Sequence, residues 1–314
     1  MRLMNLLNSD SFSIIVEMKP PKGVDVSDFL LTAKKLKWDV SGFLVPDMSQ
    51  AVLWMSALGA SFLLASKGFP VIMEMGCRDR NRLALQADLL SAAACGIENI
   101  LVSGGVETRY GDHPEAATVA DLGVMELVSA AAGLEKGRDM SGGEIKGSPR
   151  FFLGAELSAG VSEKDLDREM AAMEKKLDAG VRFFVTTPVF DAQKLAPFMD
   201  LARKRSAKIL PRVVMLRSLG MARYIQRHME HIHLPEETIA RLMASGDRER
   251  ECARITAETI NAMEELGSAG VILETFGSES RVPEVLSLRR ELLAASGEDG
   301  AGREESSWGK YRTA

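Results

Sequence analysis

The sequence predicts an α/β fold, a single (β/α)8 TIM barrel over residues 1–295 with extra helices between strands 7 and 8. Three observations point to it. Short apolar or β-branched runs alternate eight times with longer helical patterns. Apolar strands flanked by helices read as a parallel sheet covered by those helices. No Gly-x-Gly-x-x-Gly follows the first strand, which weakens an open dinucleotide-binding sheet.

The strands are expected at 13–17, 42–45, 71–75, 99–103, 151–155, 183–187, 209–214 and 270–274. Between the third and fourth, Leu83, Leu85, Leu89, Leu90 and Ala93 fall close to a 3.6-residue period. Leu166, Met170, Met173 and Leu177 do the same before the sixth. The stretch GLEKGRDMSGGEIKGSPR (133–150) is rich in Gly, Ser and charge and reads as a mobile loop before the fifth strand. Residues 234–266 hold two helices, the first introduced by Pro235 and Glu236. Residues 296–314 have no apolar period and read as a disordered tail, in which Trp308 and Tyr311 could dock on a partner.

Composition limits the function. Of 314 residues, 46% are hydrophobic and 26% charged, enough apolar material for a full core. Lys and Arg number 39 against 44 Asp and Glu, so the net charge of −5 argues against nucleic acid as a partner. Cys77, Cys95 and Cys252 are too few for a disulfide framework or a four-thiolate metal site. The first dozen residues lack the apolar core of a signal peptide, and the greasiest stretch, 51–66, is too short to span a bilayer. The expectation is a soluble, cytoplasmic protein with no membrane partner.

Active sites of such barrels form where strands run into βα loops. The strand ends carry Glu17, Asp47, Glu74, Ser103-Gly104-Gly105, Glu156, Thr186-Thr187 and Glu274-Thr275. Several carboxyls at one mouth favour acid–base chemistry, because burial and mutual repulsion raise some of their pKa values. Glu17 is the leading candidate, followed by the rigid Pro20-Pro21 turn. Its alternative is a carboxylate paired with Lys19, Lys22 or an arginine of CRDRN (77–81). Asp79 of that segment is a candidate cap for the next helix. Taken alone, Lys175 and Lys176 read as a solvated last helical turn. His228, His231 and His233 span a helix end rather than one face, which argues against a metal site. Cys77 reads as buried and structural.

The strand-end motifs EMKPPKG (17–23), VPDMSQAVLWMS (45–56), GCRDRNRLALQADLLSAAACGIENILVSGG (76–105), YGDHPEAATVADL (110–122), KKLDAGVRFFVTTPVFD (175–191) and GVILETFG (270–277) occur in one order. Together they resemble the methylenetetrahydrofolate reductase family, in its short form from acetogens and other anaerobes. The resemblance implies a flavoprotein oxidoreductase of one-carbon metabolism that reduces 5,10-methylenetetrahydrofolate to 5-methyltetrahydrofolate. The implied cofactor is FAD, with FMN the alternative.

By the same resemblance Glu17 matches the family's acid, with a raised pKa. Glu74, Ser103, Gly104, Gly105, Val119, Asp121, Glu169, Lys175 and Lys176 match flavin-contact positions or their neighbours. Thr187 and Leu219 join Glu17 on the substrate side. The implied partners are the folate substrate and an iron–sulfur or zinc-bearing subunit as electron donor, in an oligomer. Two departures stand out. Gly104-Gly105 replaces the family's Gly-Asp, and Thr186-Thr187 replaces its Thr-Gln. They motivate an alternative, a flavin-bearing electron-transfer or regulatory paralogue with an altered folate site. A pterin methyltransferase barrel is disfavoured by the motifs at 77–81 and 175–180.

Overall fold

The computed structural model of the protein describes residues 3–7, 11–159, 163–229 and 232–295. In chain order it contains α1 (Leu3–Leu7), β1 (Ser13–Glu17), α2 (Ser27–Leu36), β2 (Gly42–Val45), α3 (Ala57–Ala65), β3 (Val71–Gly76), α4 (Arg82–Ala94) and β4 (Asn99–Ser103). There follow α5 (Val124–Glu135), β5 (Phe152–Leu157), α6 (Glu163–Asp178), β6 (Phe183–Pro188), α7 (Ala196–Lys204) and β7 (Lys208–Val214). The remaining elements are α8 (Leu219–His228), α9 (Glu236–Ala244), α10 (Arg248–Glu265), β8 (Gly270–Glu274) and α11 (Val282–Ala295). The strands form a closed parallel barrel in sequence order, and β8 pairs with β1 from Ser13↔Gly270 to Glu17↔Glu274.

Alternation along each strand divides the apolar residues into two cores. Ile15, Leu44, Ile72, Leu101, Phe183, Val185, Leu210 and Ile272 fill the barrel, and Leu6 and Leu7 of α1 join them. The intervening residues, among them Val16, Phe43, Met73, Val102, Phe184 and Leu273, pack outward with Leu85, Leu89, Leu134, Met173 and Leu177 of the helices. Both faces are buried, so the strands read as continuous apolar runs.

At β5 the interior layer holds Gly154 because the Phe183 ring occupies the space. A Cβ there would overlap that ring, which stacks on Phe152 at 5.1 Å. Gly154→Ala is therefore expected to cost about 1–3 kcal/mol through overpacking. Urea unfolding checks this, and an unchanged midpoint would mean that Phe183 moves aside freely.

The predicted bounds hold unchanged for β1, β2, β4 and β8, and differ by one or two residues elsewhere. The shift at β5 matters, because Glu156 lies inside the strand rather than after it. Two expectations need larger correction. Residues 133–135 are the last turn of α5, and the following stretch is hydrogen-bonded, with an Arg138↔Glu144 bridge. Asp139 there accepts the Ser141 and Gly143 amides at 2.8 Å. Glycines in that stretch serve positive-φ turns at Gly137, Gly142 and Gly147, so their abundance marks turn geometry rather than mobility. The cap of α4 is Asn81, whose Oδ1 accepts the Ala84 amide at 3.0 Å, whereas Asp79 pairs with Arg78. The two helices expected over 234–266 are α9 and α10; α8 precedes them, and α1 is too short to show a period. The tail and His231 lie outside the described residues. Among the described residues no helix is long and apolar enough to cross a membrane.

Candidate active site at the barrel mouth

Continuing the inward alternation by two residues turns the barrel lining from apolar to ionisable. Glu17 follows Ile15, Glu74 follows Ile72, Ser103 follows Leu101, Glu156 follows Gly154, Arg212 follows Leu210 and Glu274 follows Ile272. The C-terminal mouth is thus lined by four carboxyls facing one guanidinium.

Arg212 is the centre of this layer. Its Nη1 donates to Glu17 Oε2 and lies 3.9 Å from Glu274 Oε2. Its backbone amide donates to Thr186 Oγ1 at 3.0 Å, and its Nε reaches the Thr186 carbonyl at 3.4 Å. Burial opposes its charge, but Glu17, Glu274, Glu74 and Glu156 outweigh that and push its pKa upward. Only 3% of the Glu17 side chain and 14% of the Arg212 side chain are exposed, so this ion pair is largely desolvated.

The other carboxyls respond differently. Burial, reinforced by the charge of Glu156, pushes Glu74 up to about 8. Burial, reinforced by Glu17, pushes Glu274 up to about 7. Both shifts favour the protonated form relative to an ordinary carboxyl. The partner of Glu17 is none of the expected cations at Lys19, Lys22 or CRDRN; it is Arg212, 195 positions away in the chain. Of the four mouth carboxyls, burial raises Glu74 and Glu274.

A shell of ion pairs braces the mouth. Asp47 Oδ2 accepts the Gly76 amide at 2.9 Å and pairs with Arg80, which also reaches Asp88 at 2.9 Å. Burial raises the pKa of Asp47 while Arg80 opposes the shift. Buried Arg78 donates to the Val106 carbonyl, and its own carbonyl accepts the Val119 and Ala120 amides at 3.0 Å. Arg82 holds Asp121 at 2.9 Å. Farther along the loop, Asp112 accepts from Lys22 Nζ at 2.7 Å and from the Leu53 amide at 3.0 Å. The loop after β4 is thereby tied to the loops after β1 and β2.

The expected site residues do not all converge. Ser103 is buried, and its hydroxyl lies within reach of the Glu74 carboxyl, whose charged form it favours against the effect of burial. Gly104 is exposed, with open space where a Cβ would stand. Gly105 has φ +76°, and a Cβ there would press on Arg78 Cβ at 3.1 Å, so glycine answers a backbone need at this position. Lys176 reaches inward and donates to the Glu156 carbonyl at 2.7 Å, while Lys175 on the next face of α6 is exposed. The expected shared, solvated turn is thus split. Burial pulls the Lys176 pKa down, and Glu169 and Glu156 oppose the shift. Val119 is exposed, and Asp121 is engaged by Arg82. Thr187 Oγ1 accepts the Ala159 amide at 3.3 Å. Leu219 packs against the apolar cluster that includes Val214 of β7, Ile225 of α8, Leu242 of α9 and Ile255 of α10.

Cys77 is buried, and burial pushes its thiol up to about 11, in keeping with a structural role. His228 and His233 are exposed, and no group of His, Cys, Asp or Glu among the described residues could hold a metal ion. The residue that sequence reasoning missed is Arg212. Its signal was a lone charge at an inward position of the apolar run ILPRVV, two residues beyond Leu210.

Among solved structures, the chain is similar to one described as an uncharacterized protein from Clostridium thermocellum that binds two copies of 5-methyl-5,6,7,8-tetrahydrofolic acid. The match has a TM-score of 0.60 and 12% identity, and covers 93% of this chain and 99% of that one, a likeness of fold. No curated protein matches the sequence. The family model described as methylenetetrahydrofolate reductase matches residues 2–287, nearly the whole chain, and the protein belongs to that family.

Proposed function

We propose that the protein binds a folate at the barrel mouth and reduces 5,10-methylenetetrahydrofolate to 5-methyltetrahydrofolate with a bound flavin. The observation that carries this reading is the desolvated layer of Glu17, Arg212 and Glu274, built around the position of the family's acid. Ring opening of the substrate needs a proton donor, and a carboxyl pair sharing one guanidinium can hold and release one near neutral pH. The folate described for the structural neighbour is in keeping with this reading.

The residues present fit a flavin along the β4 turn. Gly104 leaves the backbone open to a flat ring, with the buried Ser103 hydroxyl beside it. Glu74, whose pKa burial raises, stands next to that turn, where β3 pairs with β4 through Gly76↔Ser103. Ser103, Gly104, Gly105, Val119 and Asp121 would hold the cofactor on one side, and Lys176 with Glu169 and Lys175 on the other. FAD is the form we propose. When bound it supplies the hydride. The chain's own residues bind and orient the folate, exclude water from the Glu17–Arg212 pair, and place a proton.

Lys176 is half-buried and Lys175 exposed, so Lys176→Ala is expected to release flavin on dialysis while Lys175→Ala largely retains it. Flavin absorbance of the dialysed proteins checks this; full retention by Lys176→Ala would remove that residue from the cofactor site. The function itself is tested by mixing reduced protein anaerobically with methylenetetrahydrofolate. Reoxidation of the flavin supports the reductase. A flavin that stays reduced favours the second reading, an electron-transfer or regulatory paralogue. That reading draws on Gly105, on Thr187 and on the engagement of Glu17 by Arg212.

A further inference from the structure

Helix α4 carries apolar stripes on two opposite faces. Leu85, Leu89 and Ala92 are buried against the barrel. On the other side Leu83, Ala87, Leu90 and Ala94 recur at intervals of four, three and four residues, and all four are exposed, Leu83 to 75%. The charged residues of the helix, Arg82 and Asp88, flank this outer stripe rather than interrupt it. A surface helix of a barrel ordinarily turns a polar face to water, and one that is apolar on both faces is ordinarily covered on both.

The surroundings widen the outer face. Helix α3, which packs beside α4, has no charged residue, and its Phe62 is 46% exposed. Met140, also exposed, is held to α4 through its amide, which donates to Gln86 Oε1 at 2.8 Å. Two helices and this loop side by side, each about 10 Å across, make a face of roughly 30 by 20 Å. That matches the roughly 600 Å² per copy that the smaller stable dimers bury.

The order of large and small residues points to what covers the face. Read backwards, Leu83-Ala87-Leu90-Ala94 is its own complement. About a two-fold axis between positions 88 and 89, Leu83 of one copy meets Ala94 of the second copy, and Leu90 meets Ala87. Each leucine then has a small residue to pack into, so the two helices can approach closely. An isologous contact of this kind closes at two chains.

We infer that the protein is a dimer in solution, joined by antiparallel packing of α4 on α4, with Phe62 and Met140 at the margins. The same helix supplies Arg82 to Asp121 and Asp88 to Arg80, so pairing buttresses the bracing shell of the mouth from behind.

The test is sedimentation of the full-length protein from nanomolar to high micromolar concentration. Wild type is expected as a dimer that dissociates on dilution. Leu90→Glu and Ala87→Lys each set two like charges across the axis, and each should raise the dissociation constant about 10²-fold or more. Mixed one to one, the two variants should associate again, because the introduced carboxylate then faces the introduced ammonium. Met243→Glu, at an exposed apolar residue of α9, should leave association unchanged. Circular dichroism checks that each variant is folded. Should Leu90→Glu fail to fold, Leu83→Glu serves in its place, with Ala94→Lys as its counterpart. A wild type that stays monomeric at the highest concentration overturns the proposal, and so does a dimer that the α4 variants leave intact. A mixture that stays monomeric overturns the antiparallel register. Equal loss of association in Met243→Glu marks general apolar adhesion and overturns the α4 interface. None of these results bears on the reductase reading.

Discussion

Replacing Arg212 by Met is expected to destabilise the protein by roughly 3–5 kcal/mol at neutral pH, because it strands a buried carboxylate. Glu17 would lose its hydrogen-bonding cation in a site where only 3% of its side chain is exposed. The methionine fills much of the same volume, so the loss reports the missing charge rather than a cavity. The penalty should shrink in the double variant with Glu17→Gln, which removes the orphaned charge. Urea unfolding of the single and double variants measures both. A loss below about 1 kcal/mol would mean that the pair behaves as a solvated surface bridge.

Glu17→Gln should have the largest effect on chemistry. Folate-dependent reoxidation of reduced flavin is expected to slow about 10²- to 10⁴-fold. Gln is nearly isosteric but carries neither a proton to give nor a charge to hold Arg212. The guanidinium would then turn to Glu274, the other carboxyl it faces, and draw its proton off. Reduction of the flavin by its electron donor should change little, since that step takes no proton from this pair. Stopped-flow measurement of the two half-reactions separates these expectations. Wild-type folate turnover in the variant would reduce Glu17 to a structural role.

The barrel and most strand bounds were legible because they rest on local patterns. A parallel strand covered on both faces must be an apolar run, and eight such runs separated by helical periods leave few alternatives. The same alternation made Glu17, Glu74 and Glu274 readable as strand-end carboxyls. Errors arose where the local signal was ambiguous. Gly-rich 136–147 carries ordered turns, Asn81 rather than Asp79 satisfies the helix end, and the paired lysines face different environments.

Sequence by itself therefore determined which chemical groups stand at the strand ends: the carboxyls of Glu17, Asp47, Glu74, Glu156 and Glu274 and the Ser103-Gly104-Gly105 turn. Only the tertiary structure decided which of them meet. Closure of β8 onto β1 set Glu17 beside Glu274, and β7 brought in Arg212, 195 residues from its partner. Desolvation and charge depend on every wall of the enclosed mouth at once. For that reason the division between the carboxyl bound to Arg212 and those that hold protons could not be read from any one strand.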